Sequence, residues 1–167
     1  MSATNTVLTL DMVLAHREDI YSLDLWTFTG IEEDSAETLS KLKRYLNLSG
    51  LTSLSDSTAE VLSRHQGILD LSGLTTLSDA AAHTLAKMKG GLWLNGLGEL
   101  SAGVAAALST HAGDLYLRGL LTISDEAAEA LAHHTGYLSL AGLTKVSDAA
   151  AQALHKHRGW GVKDFRE

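Results

Sequence analysis

The chain has 167 residues, a formal net charge of −7, no Cys and no Pro, with 45% hydrophobic but only 5% aromatic residues. That balance lacks the basic stripe that phosphate contacts need, so no nucleic-acid partner is expected, and no anionic membrane partner either. Without Cys there are no disulfides or thiolate sites; with no membrane-length apolar run and no basic-then-apolar leader, the expected location is the cytoplasm, signal-less export remaining open.

In chain order, Thr9 to Glu18 reads as a helix with Leu10, Met12 and Val13 apolar. Residues 1–22 are assigned to an N-terminal capping helix and lead-in, the polar-faced end that a repeat array needs over its first layer. From Leu23 a block of 23 residues recurs: a loose copy there, then clear copies beginning at Leu46, Leu69, Leu92, Leu115 and Leu138. Each reads roughly L-x-L-x-G-L-T-x-L-S-D-x-A-A-x-x-L-x-x-H-x-G-x. Such a period marks a solenoid, in which each unit buries its apolar face against its neighbours. Residues 23–160 are read as six units. In the loose copy, the run from Glu32 to Glu37 replaces the usual Ser-Asp helix start. It reads as a helix N-terminus carrying favourable charge, or as an acidic docking patch.

The unit Leu69 to Gly91 shows the local logic. Leu69 and Leu71 alternate with polar residues as a short strand, Gly73 turns the chain, and Leu74 and Leu77 point back inward. Ser78 caps a helix expected to run to about Lys89, Asp79 favours its positive end, and Ala82 and Leu85 form the buried stripe. Gly90, like Gly67, Gly113, Gly136 and Gly159, is expected at C′ in the left-handed conformation. Parallel strands sit closer together than helices, so the stack should curve, with the sheet concave and the helices convex. Ala at 36, 59, 82, 105, 128 and 151 would limit the splay.

The copy at Leu92 is the weakest, with Gly98 for Thr, Ala102 for Asp and Gly103 inside its helix, which should therefore be the least stable. Residues 161–167 read as a C-terminal edge segment blunted by Lys163, Asp164 and Arg166. Pairing of two copies through that edge is an alternative use of it, and truncation from a longer array would explain it too.

These residues resemble the leucine-rich repeat superfamily. The nearest pattern is that of the cysteine-containing class of F-box ubiquitin-ligase receptors, on which Leu69-x-Leu71-x-Gly73-Leu74-Thr75-x-Leu77-Ser78-Asp79 falls, with Leu74 where that class has Cys. The alanine-rich helices are also similar to bacterial repeat proteins with a Gly-Ala-Leu-Ala signature. The resemblance implies an α/β fold, a right-handed horseshoe segment with a concave parallel sheet and convex short helices. It departs in lacking the Asn or Cys ladder, since Leu stands at 51, 74, 97, 120 and 143, and in its shorter unit. No F-box segment precedes the array, so a ubiquitin-ligase role is not expected to carry over.

For chemistry, the only recurrent candidates are His65, His111, His134 and His157, near the helix C-termini. A metal ladder would need neighbouring carboxylates and an unbroken row, and Met88 interrupts it; dipole-favoured helix ends explain the row better. The serines at 55, 78, 101, 124 and 147 repeat as caps, and no glycine-rich loop carries a phosphate motif. No metal, cofactor or enzymatic activity is expected.

If repeated positions serve folding, function should lie where the outward strand positions differ. There the sequence places Trp93, Tyr116, Arg118, Asn95, Asp70, Asp114, Tyr45 and Tyr137, with Trp26 extending the field. Trp93 and Tyr116 share a column and should stack. Trp, Tyr and Arg are the types enriched at binding hot spots. The expectation is a non-enzymatic module binding a protein or peptide on this face; the alternative is a structural scaffold self-associating through its C-terminal edge.

Overall fold

The computed structural model describes residues 6–16, 18–20 and 24–157. Two-residue strands β3 (Leu46–Asn47), β4 (Leu69–Asp70), β5 (Leu92–Trp93), β6 (Leu115–Tyr116) and β7 (Leu138–Ser139) form one five-stranded parallel sheet in sequence order. Each step advances the register by one repeat, pairing Leu46 with Leu69, Leu69 with Leu92, and so on. The bonds are regular: Leu46 N–H donates to Ile68 O at 2.8 Å and Leu48 N–H to Asp70 O at 2.9 Å. Helices α3 (Asp56–Leu62), α4 (Asp79–Leu85), α5 (Ala102–Ser109), α6 (Asp125–Leu131) and α7 (Asp148–Leu154) follow the strands. This alternation is compatible with a repeat solenoid.

Alternation and spacing explain the core. Leu69, Leu71 and Leu74 and their copies turn to the helical side and are buried there with Ala82 and Leu85. Each buried Leu contributes about 1.5–3 kcal/mol over an exposed one. Ala36, Ala59, Ala82, Ala105 and Ala128 have no exposed surface, which lets successive helices approach closely; Ala151 is half-buried.

The caps form as expected. Ser55, Ser78, Ser101, Ser124 and Ser147 accept the N–H groups of Thr58, Ala81, Val104, Ala127 and Ala150. The structure adds a second role that the repeat did not reveal. Ser78 Oγ donates to Asp56 Oδ1 of the preceding unit at 2.6 Å, and Ser147 donates likewise to Asp125. The recurring Ser-Asp pair thus caps its own helix and ties it to the next. Ser124 has no such partner, because Ala102 stands where the Asp would be. At Gly103 a Cβ would stand 2.7 Å from Asp79 Oδ2, the end of a side chain that can swing aside, so packing does not require glycine there.

Two expectations need correction. The helix of the Leu69 unit ends at Leu85 rather than Lys89, and a tighter turn (Met88 N–H to Leu85 O, 3.0 Å) returns the chain toward the next strand. Gly67, Gly90, Gly113 and Gly136 are not left-handed, since no described residue has positive φ. They are required by close approach instead. A Cβ at any of them would run into the carbonyl oxygen one repeat earlier, of Arg44, Gly67, Gly90 and Gly113 respectively. Gly159 lies outside the described residues.

At the N-terminal end, α1 (Leu10–Ala15) is shorter than the expected Thr9–Glu18 and is preceded by β1 (Val7–Leu8). β1 runs parallel to β2 (Gly30–Ile31), which leads into α2 (Glu33–Ser40). Val7 pairs with Gly30 and Leu8 with Ile31, so the same period extends one helix upstream of the loose copy. Glu33 and Asp34 of the acid run sit in the first turn of α2, and Glu32 Oε2 accepts the Leu10 N–H at 3.1 Å. The loose copy does not place a strand beside β3 within the described residues. Its Leu25–Thr27 segment is a 3-10 turn, while Leu23 itself lies outside them. The backbone nevertheless keeps the stacking, because Trp26 O and Phe28 O lie against Gly50 as Ser49 O and Leu51 O lie against Gly73. Among the described residues no helix is long and apolar enough to cross a membrane. The C-terminal edge segment, 161–167, lies outside the description.

Candidate functional site

The outward sheet face is built by the pleat: in each unit the residues before, between and after the two strand leucines project away from the helices. On it, four aromatic rings touch in series. Tyr45 meets Trp93 with centroids 5.5 Å apart, Trp93 meets Tyr116 at 5.2 Å, and Tyr116 meets Tyr137 at 5.5 Å. The rings are tilted by 49–56° rather than stacked, contrary to the expectation for Trp93 and Tyr116. Neighbouring strands stand about 4.8 Å apart, wider than a face-to-face stack, and tilting restores edge-to-face contact.

Polar residues support this row. Asp70 projects outward yet is only 6% exposed, lying beneath Tyr45. Its Oδ2 accepts from Tyr45 Oη at 2.8 Å and its Oδ1 from Ser72 N–H at 2.9 Å. Partial burial of the phenol, reinforced by the Asp70 carboxylate, pushes the Tyr45 pKa up to about 12. Asn95 bridges three units, donating from Nδ2 to Ser72 Oγ at 3.1 Å and accepting the Arg118 N–H at 3.1 Å. The guanidinium of Arg118 lies over the Tyr116 ring, 5.0 Å from its centroid, and its Nε donates to Ser139 Oγ. Trp93 Nε1 is buried and makes no hydrogen bond among the described residues.

The sequence therefore located the face, and the structure brings Tyr45, Asp70, Trp93, Asn95, Tyr116, Arg118 and Tyr137 into one connected network. Asp114 lies on the same face, exposed. Trp26 does not join the ring series; it sits on the 3-10 turn, 55% exposed. Ser72 and Ser139, which hold Asn95 and Arg118 in place, were not singled out from sequence. Only their columns, shared with Asn95 and Tyr116, gave a signal.

The histidine row lies in the turns that lead from each helix to the following strand. His65, His111, His134 and His157 are buried. His65 Nε2 bonds to Arg44 O at 2.8 Å. The other three stack nearly parallel, with centroids 6.1 Å and 5.7 Å apart and interplanar angles of 13° and 8°. Burial lowers the pKa of His111 and His134, and for His134 the two neighbouring imidazoles lower it further. No group of three or more metal-ligating side chains converges among the described residues. A half-open cleft beside Gly98, lined by Thr75, Leu77, Glu99 and Val104, carries one titratable side chain, Glu99, and so no acid–base pair.

No protein-family model matches the chain, and no curated protein matches it.

Proposed function

We propose that the chain is a leucine-rich-repeat horseshoe segment, without enzymatic activity, whose concave sheet face binds a protein or peptide. Trp93, Tyr116 and Arg118 form the centre of the surface, with Asn95, Asp70, Asp114, Tyr45 and Tyr137 around them. The observation that carries this reading is the continuous ring contact from Tyr45 to Tyr137 across five strands. The inward side of the same sheet repeats Leu at each unit, whereas the outward side concentrates four of the chain's few aromatics. Large, preorganised Trp and Tyr surfaces with an Arg are the composition of binding hot spots. The rigid backing supplied by Asp70 and Asn95 lowers the ordering cost of binding.

The test is capture from a native cell extract with the wild-type chain and with the Trp93→Ala, Tyr116→Ala double variant. The wild type should retain a partner that the double variant loses, with the circular dichroism spectrum unchanged. Equal capture by both would overturn the assignment of this face. The alternative pairing surface, Trp160 to Phe165, lies outside the described residues, and no observation favours it.

A further inference from the structure

Gly91 differs from most other glycines of the array. It immediately precedes β5 on the outward face, in the column that holds Tyr45, Ile68, Asp114 and Tyr137 in the other units. No backbone crowds it: a Cβ there would meet Ile68 Cγ1 at 3.4 Å and Asp114 O at 3.8 Å, ordinary contacts. Packing thus permits a side chain, strand propensity favours one, and a glycine in such a place often marks where another group approaches.

The missing side chain leaves Gly91 between unlike neighbours in its column. Ile68 stands on one side, 39% exposed. Asp114 stands on the other, its carboxylate exposed and in no ion pair among the described residues. Trp93 stands two residues along on the same outward face, in contact with Tyr45 and Tyr116. Arg118 is the only cationic side chain among the outward positions from Tyr45 to Ala141, and it is engaged with Tyr116 and Ser139.

We infer that the position left open at Gly91 seats a lysine or arginine side chain from a basic peptide segment, its aliphatic stem along Ile68 and Trp93 and its charged head at Asp114. Long cationic side chains bury their stems on apolar surface while the head stays polar, and their charge is attracted to the face of Trp. Arg118 over Tyr116 shows that this face already holds a guanidinium on an aromatic ring. The net charge of −7 favours encounter with a basic segment. This inference rests on the reading of the sheet face as a peptide-binding surface.

The experiment uses three end-capped peptides of equal length, one rich in Lys and Arg, one in Glu and one in Ser and Gly. Their affinities are measured by calorimetry at low and physiological salt, while the Trp93 indole N–H resonance is followed by NMR. The basic peptide should bind at least about tenfold more tightly than the others and shift that resonance. Gly91→Leu, which fills that position, should weaken it by about tenfold or more, and Asp114→Asn severalfold with a shallower salt dependence. No binding of the basic peptide, equal binding of all three, or indifference to both substitutions would each overturn the inference. A protein or peptide that loses affinity in the Trp93→Ala, Tyr116→Ala variant but ignores charge and Gly91→Leu would overturn the Gly91 seat alone. Basic-peptide binding that survives the double variant and leaves the indole resonance unmoved would overturn both the Gly91 seat and the face.

Discussion

At Gly90 a Cβ would run into the carbonyl oxygen of Gly67, whereas one peptide further on, at Gly91, it would meet only the Ile68 side chain and a carbonyl at van der Waals distance. Gly90 belongs to the row at the foot of the helices, where successive units press backbone against backbone. Gly91 belongs to the outward strand face, where its carbonyl accepts from Leu69 N–H at 2.9 Å but the Cβ direction points away from close backbone. The difference separates glycines set by stacking from those that stacking leaves open, although both look alike in the sequence. It also shows why the helix-end glycines recur without any left-handed residue: the constraint comes from the unit before, not from the local dihedral angle.

The sharpest way to break this comparison is to add one methyl group at each position. Gly90→Ala should cost about 3 kcal/mol, the range of overpacking against an unyielding neighbour. Gly91→Ala should be neutral or stabilise by about 0.5 kcal/mol through the unfolded chain. Urea midpoints of the two variants decide the matter, and equal losses would refute the distinction.

The histidine row sharpens the comparison among repeated positions. Burial holds His111 and His134 below the ordinary imidazole value of 6.5. Above that value both folded and unfolded chains are neutral there, and stability is at its plateau. Below it the unfolded chain binds protons that the folded one refuses, so stability falls until the pH reaches the lowered folded values. Asp114, beside His111, opposes this only weakly. Met88 occupies the same position in another unit, so His134→Met is a substitution the array already accommodates. It should flatten the decline in urea midpoint between about pH 7 and pH 5; an unchanged slope would place the acid sensitivity elsewhere.

The smallest effect separates two caps. Ser78→Ala removes both the bond from Ala81 N–H and the link to Asp56, and should cost about 1–2 kcal/mol. Ser124→Ala removes only the cap of α6 and should cost less by about 0.5 kcal/mol. Thermal denaturation of the pair measures the contribution of the link between units.

Much of the fold was legible because it repeats. A register that advances by one repeat at each strand, the Ser caps and the Leu and Ala layers follow from the copies laid over one another. The loose copy was less legible, because the Leu23-Asp24-Leu25 alternation suggests a strand where Leu25–Thr27 makes a 3-10 turn. Nor did the sequence reveal that Val7 and Leu8 continue the period, since that match rests on backbone pairing with Gly30 and Ile31 rather than on shared residue types. At the candidate site, strand alternation identified the face and its aromatics. It did not show Asp70 buried beneath Tyr45, or Asn95 spanning three units, because those depend on which rotamers fit between neighbours.

The sequence by itself determined the period, the side of each strand that is buried and the residue types left on the other side, because alternation and capping are local properties of the chain. The tertiary structure alone decided which glycines are obligatory, which serine hydroxyls reach an aspartate and how the rings tilt into contact. Each of those depends on the distance between one unit and the next, which is set only when the units stack.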